Sequence, residues 1–156
     1  MADRVYIETT VVSYLTARAS RDVIIAGHQQ VTHEWWDTRR SDYELCVSQL
    51  VLDEAGAGDI QAAQERLALL YPMLVLETTE AALDIAKGLI HAGALPTKAA
   101  DDALHIAIAA SKAIPFLLTW NCRHLANAAM RPVIEEVCGT SGFRAPIICT
   151  PEELLG

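Results

Sequence analysis

The chain has 156 residues, 52% of them hydrophobic and 21% charged, which suits one domain with a real core and excludes general disorder. Its formal net charge of −8 argues against a protein that holds nucleic acid by its overall field. No apolar run approaches the ~18 residues that span a bilayer, no cleavable signal pattern is present near the start, and four cysteines without a CxxC pair read as buried free thiols in a reducing cytoplasm.

Arg4 to Ile7 is a short β-branched and aromatic run, a first strand. Thr9 or Thr10 caps the helix that follows, with Val11, Val12 and Leu15 as its apolar stripe. Residues 20–40 read as a longer helix with Val23, Ile24, Gly27, Val31 and Trp35 on one side. Tyr43 to Ser48 is the second strand, followed by a helix from about Gln49 that stops at Gly56 or Gly58. Asp59 caps a helix running to Tyr71, where Pro72 ends it. Met73 to Leu76 reads as a buried strand, and Thr78 or Thr79 starts a helix to about His91, closed by Gly93. A helix over Thr97 to Ala113 turns Ala100, Leu104 and Ile108 inward. Pro115 to Thr119 is the most strand-like run, a short helix follows Asn121, and another spans roughly 131–138. Ile147 to Cys149 is a last strand, and Thr150-Pro151-Glu152-Glu153 is a sharp helix start. This alternation predicts a single α/β domain over residues 1–156, a three-layer α/β/α sandwich with a central parallel sheet of four to five strands.

Ligands gather at the carboxyl ends of strands in open parallel sheets. The polar residues expected there are Glu8 after strand one, Glu54 in the helix after strand two, Asp101 and Asp102 early in the 97–113 helix, and Asn121 after strand four. Thr10 and Thr119 offer further oxygens. Crowded carboxylates raise one another's pKa unless something positive neutralises them. A hard divalent cation such as Mg²⁺ does this with oxygen ligands and then reverses the local sign toward an acidic polymer. Each residue also has a plainer reading. Acids in a first helical turn are favoured by the helix dipole, so Asp101 or Asp102 could serve as caps. Glu54 could be a solvated surface residue, whereas Glu8 follows a strand expected in the middle of the sheet.

Four segments carry a family resemblance. The run VYIETTVVSYL from Val5 to Leu15 resembles the opening strand and helix of PIN-domain nucleases, with Glu8 where an Asp is usual. VSQLVLDE, ending on Glu54, is similar to that family's second motif, and KAADDALHIAIA from Lys98 to Ala109 to its third, with the acid at Asp102. LLTWNCRHL from Leu117 to Leu125 resembles the fourth, with Asn121 where many members have Asp. In kind the chain is similar to VapC-like toxins of bacterial toxin–antitoxin pairs. The resemblance implies a PIN-like fold and a cytoplasmic endoribonuclease dependent on Mg²⁺ or Mn²⁺. It also implies a homodimer and a cognate antitoxin that occludes the site. Glu8, Glu54 and Asp102 would hold the metal, and Asn121 would complete the catalytic set by orienting a water or phosphate oxygen. A metal-activated water would attack the phosphorus in line, leaving a 5′-phosphate and a 3′-hydroxyl. Thr10, Asp101 and Thr119 would stand just behind these ligands. The alternative is a catalytically weak PIN-like module that binds RNA or a protein partner, for which Glu8 and Asn121 speak. A phospho-receiver ranks below both, lacking paired acids after strand one and a Lys after the last strand.

The remaining residues have mostly structural readings. His105 lies three positions past Asp102 on the same helical side, and packing is preferred for it over a role in the site. His124 reads as a helix-surface neighbour of the site rather than a zinc ligand, since no Cys/His spacing supports zinc. Trp35 reads as core, with Trp36 facing another way. Arg18, Arg39 and Arg123, with Arg21 and Arg40 behind them, are candidate phosphate contacts. Residues 1–40 carry balanced charge and the whole −8 lies beyond them, so RNA would be least repelled along that first stretch.

Overall fold

Val5, Tyr6 and Ile7 have no exposed surface, because strand β1 (Arg4–Ile7) has a partner on both sides and helices on both faces. The computed structural model describes residues 2–156. Beside β1 lie β2 (Glu44–Ser48) and β4 (Phe116–Leu118), with β3 (Leu74–Leu76) and β5 (Ile147–Cys149) at the two edges. All four pairings are parallel, in the order β3-β2-β1-β4-β5, so the expected central parallel sheet is present.

The connections cover its faces. Helices α1 (Thr9–Thr16), α2 (Val23–Thr38), α3 (Gln49–Ala55) and α4 (Ile60–Leu70) form one group, with α1 packed on the other three. On the other side α5 (Glu80–His91) packs on α6 (Ala100–Ser111) and α7 (Arg131–Thr140). This is a three-layer α/β/α sandwich. Among the described residues no helix is long and apolar enough to cross a membrane.

Capping follows the sequence closely. Ser48, Asp59 and Thr79 each accept a backbone N–H at the start of α3, α4 and α5, satisfying donors that the first helical turn leaves free. For α1 the cap is Glu8 and not Thr9 or Thr10 as expected: the two threonines are the first helical residues, their hydroxyls bonded to Glu54 and Glu8, so the first candidate ligand is held by the chain's own turn.

Several other expectations need correction. The apolar stripe of α2 does not reach its first turn: Val23 is 85% and Ile24 70% exposed, and the helix buries Gln29, Thr32 and Trp35. α1, its main helical neighbour, has half its length. The loop before α2 is clasped at mid-helix, where Gln29 Nε2 donates to Arg18 O and Gln29 Oε1 accepts from Ser20 N–H. The first turn therefore overhangs. Met73 to Leu76 is not a buried strand, since β3 is an edge and Leu74 and Val75 are exposed. Ala100 is exposed and Leu104 only partly covered, while α6 buries Ala103 and the continuous run His105 to Ala110. No helix follows Asn121 or Thr150; both segments are turns. Glu153 Oε1 does accept from Thr150 N–H at 3.0 Å, the reach-back expected of that cap. Three cysteines are buried, but Cys122 is exposed.

Candidate metal centre

In the strand order, the chain turns back between β1 and β4: β2 and β3 are added on one side, β5 on the other. In open parallel sheets the crevice that takes a ligand lies outside the carboxyl ends of the strands at such a switch point. Glu8 stands at that point. Its N–H continues the ladder to Leu118 O at 3.0 Å, and its side chain is 4% exposed.

Two threonine hydroxyls collar its carboxylate. Thr10 Oγ1 donates to Glu8 Oε1 at 2.5 Å and Thr119 Oγ1 donates to the same oxygen at 2.6 Å. The direction is fixed from behind: Trp120 N–H donates to Thr10 Oγ1 and Asn121 N–H to Thr119 Oγ1, both at 2.9 Å. Each hydroxyl proton is thus turned toward Glu8. Glu8 Oε2 receives only the longer 3.2 Å bond from Thr10 N–H. Burial pushes the Glu8 carboxyl above its ordinary range, and the bonds from Thr10 and Thr119 offset part of that rise.

Trp120 is anchored in turn. Its indole Nε1–H donates to Thr32 Oγ1 at 2.7 Å, and its ring stacks on His28 at 4.1 Å between centroids and on Tyr14 at 6.1 Å. The mid-part of α2 therefore holds the backbone that aims the Thr10 hydroxyl.

Glu54, in the last turn of α3, meets the same crevice. Thr9 Oγ1 donates to its Oε1 at 2.6 Å, and His105 Nε2 lies 2.8 Å from that oxygen. Adjacent threonines at the start of α1 thus serve the two carboxylates, Thr9 for Glu54 and Thr10 for Glu8. Burial alone would raise the Glu54 carboxyl, but the neighbouring His105 and the Thr9 bond together bring it below its ordinary range. Among the described residues no arginine or lysine pairs with either glutamate.

Glu8, Glu54 and His105 each bring one donor atom to within 4.8 Å of the others. The sequence favours packing for His105. It is fully buried, and it is also the third member of this cluster. Its other nitrogen, Nδ1, is 2.7 Å from the Tyr6 hydroxyl, which lies 2.7 Å from Ser48 Oγ. The available signal was a histidine inside an Ala/Ile/Leu run whose nearest polar helical neighbours are Asp101 and Asp102.

The other site candidates lie near this edge or away from it. Asp102, one helical turn before His105, bonds His124 Nδ1 through Oδ2 at 3.2 Å, with both side chains about a fifth exposed. Asn121 Oδ1 accepts from His124 N–H at 3.0 Å and caps the turn after β4. His124 is therefore the hinge between the two residues. Asp101 is exposed, as are Arg18 and Arg123. Arg123 and His124 line a cavity of about 490 Å³ with Leu95, Thr97 and Asn127. Arg39 is elsewhere: it follows α2 at the amino edge, where β2 begins, and pairs with Asp42 at 3.4 Å. Trp36 and Arg40 stack at 4.5 Å and line a cavity there with Glu44, at the amino end of β2.

No protein-family model matches the sequence, and no curated protein matches it. Solved structures match across nearly the whole chain. One is a chain of VapBC2 from Rickettsia felis, in a structure bound to a DNA fragment from their promoter. It has a TM-score of 0.59 and 12% identity, over 94% of this chain and 98% of that one. Another is VapC20 of Mycobacterium tuberculosis, a sarcin–ricin loop cleaving toxin, with a TM-score of 0.54 and 15% identity, over 91% and 99%. The fold is PIN-like.

Proposed function

We propose that the chain is a metal-dependent endoribonuclease and the toxin of a toxin–antitoxin pair, its ion Mg²⁺ or Mn²⁺. One observation carries this reading: two carboxylates that pair with no arginine or lysine among the described residues converge with an imidazole at the switch point of a parallel sheet. The donor set fits a divalent cation. Glu8 Oε2 is only weakly engaged, and Glu54 Oε2 has no hydrogen bond among the described residues, so each carboxylate keeps an oxygen for a cation. Glu8 and Glu54 would hold the ion, with Asp102 as the third carboxylate. When bound, the ion activates water and offsets charge building on a phosphodiester.

The chain's own residues do the rest. Thr10 and Thr119 keep the Glu8 carboxylate fixed, Asp101 adds negative charge beside Asp102, and Asn121 offers its Nδ2–H to a water or phosphate oxygen. Of Arg18, Arg39 and Arg123, the first and last remain to meet an RNA backbone, since Arg39 is engaged at the other edge. An RNA substrate, an antitoxin, a homodimer and a cytoplasmic setting belong to the same proposal, supported by the fold shared with VapBC2 and VapC20 chains.

A second reading, a PIN-like module that binds RNA or a protein without cutting, draws on Asp102 being held by His124 and on an amide at position 121. RNA cleavage with Mg²⁺ or Mn²⁺, with chelator, and by Asp102→Asn separates the two. Cleavage lost in both controls supports the nuclease. Cleavage that survives both refutes the metal mechanism, and no cleavage by folded, metal-supplied protein selects the binding module.

A further inference from the structure

Tyr6, Ser48 and His105 have no exposed surface, so water cannot replace any bond among them and every proton must be placed on a protein partner. Donor counting gives one arrangement. Ionised Glu54 can only accept, so His105 Nε2 carries the hydrogen of the 2.8 Å contact. Ser48 Oγ accepts from Val51 N–H at 3.4 Å, and its own hydrogen has no other acceptor than the Tyr6 oxygen among the described residues. The Tyr6 hydrogen must then point to His105 Nδ1. The chain therefore runs one way, from Ser48 on β2 through Tyr6 on β1 and His105 on α6 to Glu54 on α3.

We propose that His105 is a positioning residue: locked as the Nε2–H tautomer by Tyr6 and Ser48, it donates to Glu54 Oε1 and leaves Oε2 as the oxygen offered to a cation. Thr9 donates to the same Oε1 from α1, so that oxygen is saturated by two donors on two elements. Glu54 is thereby fixed in rotation. Tyr6 keeps its proton throughout, since burial pushes its hydroxyl far above its ordinary range. The edge-on packing of the Tyr6 and His105 rings, 66° apart with centroids at 5.7 Å, holds the imidazole plane.

The proposal rests on the metal reading above, and two measurements keep the two apart. Nitrogen-15 NMR of the metal-free protein should show His105 with hydrogen on Nε2 and none on Nδ1, and the Nε2 hydrogen should persist when Mg²⁺ is added. Hydrogen on Nδ1 alone overturns the chain; loss of the Nε2 hydrogen on adding Mg²⁺ makes the imidazole itself a ligand and overturns the positioning role. Calorimetric titration with Mn²⁺ should show His105→Leu weakened by about 10–100-fold, as for other groups that orient a metal ligand. His105→Gln, which keeps an N–H donor near the Nε2 position, should recover most of the loss. Equal Mn²⁺ affinity in wild type and His105→Leu overturns the proposal. If His105→Leu fails to fold, Tyr6→Phe carries the test: it should weaken Mn²⁺ binding in the same direction, and unchanged affinity overturns the proposal. A wild-type protein that takes up no Mn²⁺ refutes the metal reading, and the metal-free tautomer still tests the hydrogen-bond chain.

Discussion

Thr119→Val removes one oxygen and almost no volume. Thr119 is fully buried, donates to Glu8 Oε1 at 2.6 Å and accepts from Asn121 N–H at 2.9 Å. A hydrogen bond to a charged acceptor contributes about 1.5–3 kcal/mol, and the half-buried Asn121 N–H loses its partner as well, so the cost should be about 2–4 kcal/mol. For a domain of this size that is a fall in Tm of roughly 5–15 °C. The cost should also depend on pH. Burial raises Glu8 above the ordinary carboxyl value, so the folded protein holds this proton more tightly than the unfolded chain. Stability then falls as pH rises from the ordinary value through the raised one, and the full penalty applies above it. The Thr119 hydroxyl favours the ionised form and so reduces the penalty; the valine enlarges it. Scanning calorimetry in chelator, from about pH 4 to neutrality, should show wild type and variant diverging as pH rises. A Tm difference that stays constant with pH would refute the reasoning.

Glu8→Gln should raise Tm in chelator at neutral pH, because the amide oxygen can still accept from both threonines without burying a charge; the same variant should lose any Tm gain that Mn²⁺ gives the wild type. Thiol titration of the native protein should find one fast group, Cys122, absent in Cys122→Ser. Cys46, Cys138 and Cys149 should stay silent until unfolding, since burial pushes their thiols up to about 12, 11 and 12. Thr32→Val takes away the acceptor of the Trp120 indole N–H; a cost of about 1–3 kcal/mol in denaturant unfolding is expected, with a shift in tryptophan emission.

Most of the fold could be read from local pattern, because α1 to α5 each start on a capping side chain and each central strand has its own apolar run. Position within the sheet could not. Leu74 and Val75 look the same in sequence whether β3 is central or at the edge, and only the order of strand pairing leaves them exposed. Glu8 was readable as the residue just beyond a strand end, and Glu54 as an acid on the helix that follows the next strand. His105 was not, because three-residue spacing gives the side of a helix and not its depth, and its partners Tyr6 and Ser48 come from two other strands. Asp102 and Asn121 share a neighbour, His124, through a contact spanning 22 residues that no local spacing encodes.

Helix α6 carries both Asp102 and His105, and from His105 to Ala110 it has no solvent-facing side chain. A helix enclosed in this way has no low-cost partial opening. Its amide hydrogens should exchange only through global unfolding, whereas those of the overhanging first turn of α2 should exchange early. The imidazole at the crevice therefore shares the lifetime of the whole fold, and the exposed turn of α2 can fray and reclose without disturbing it.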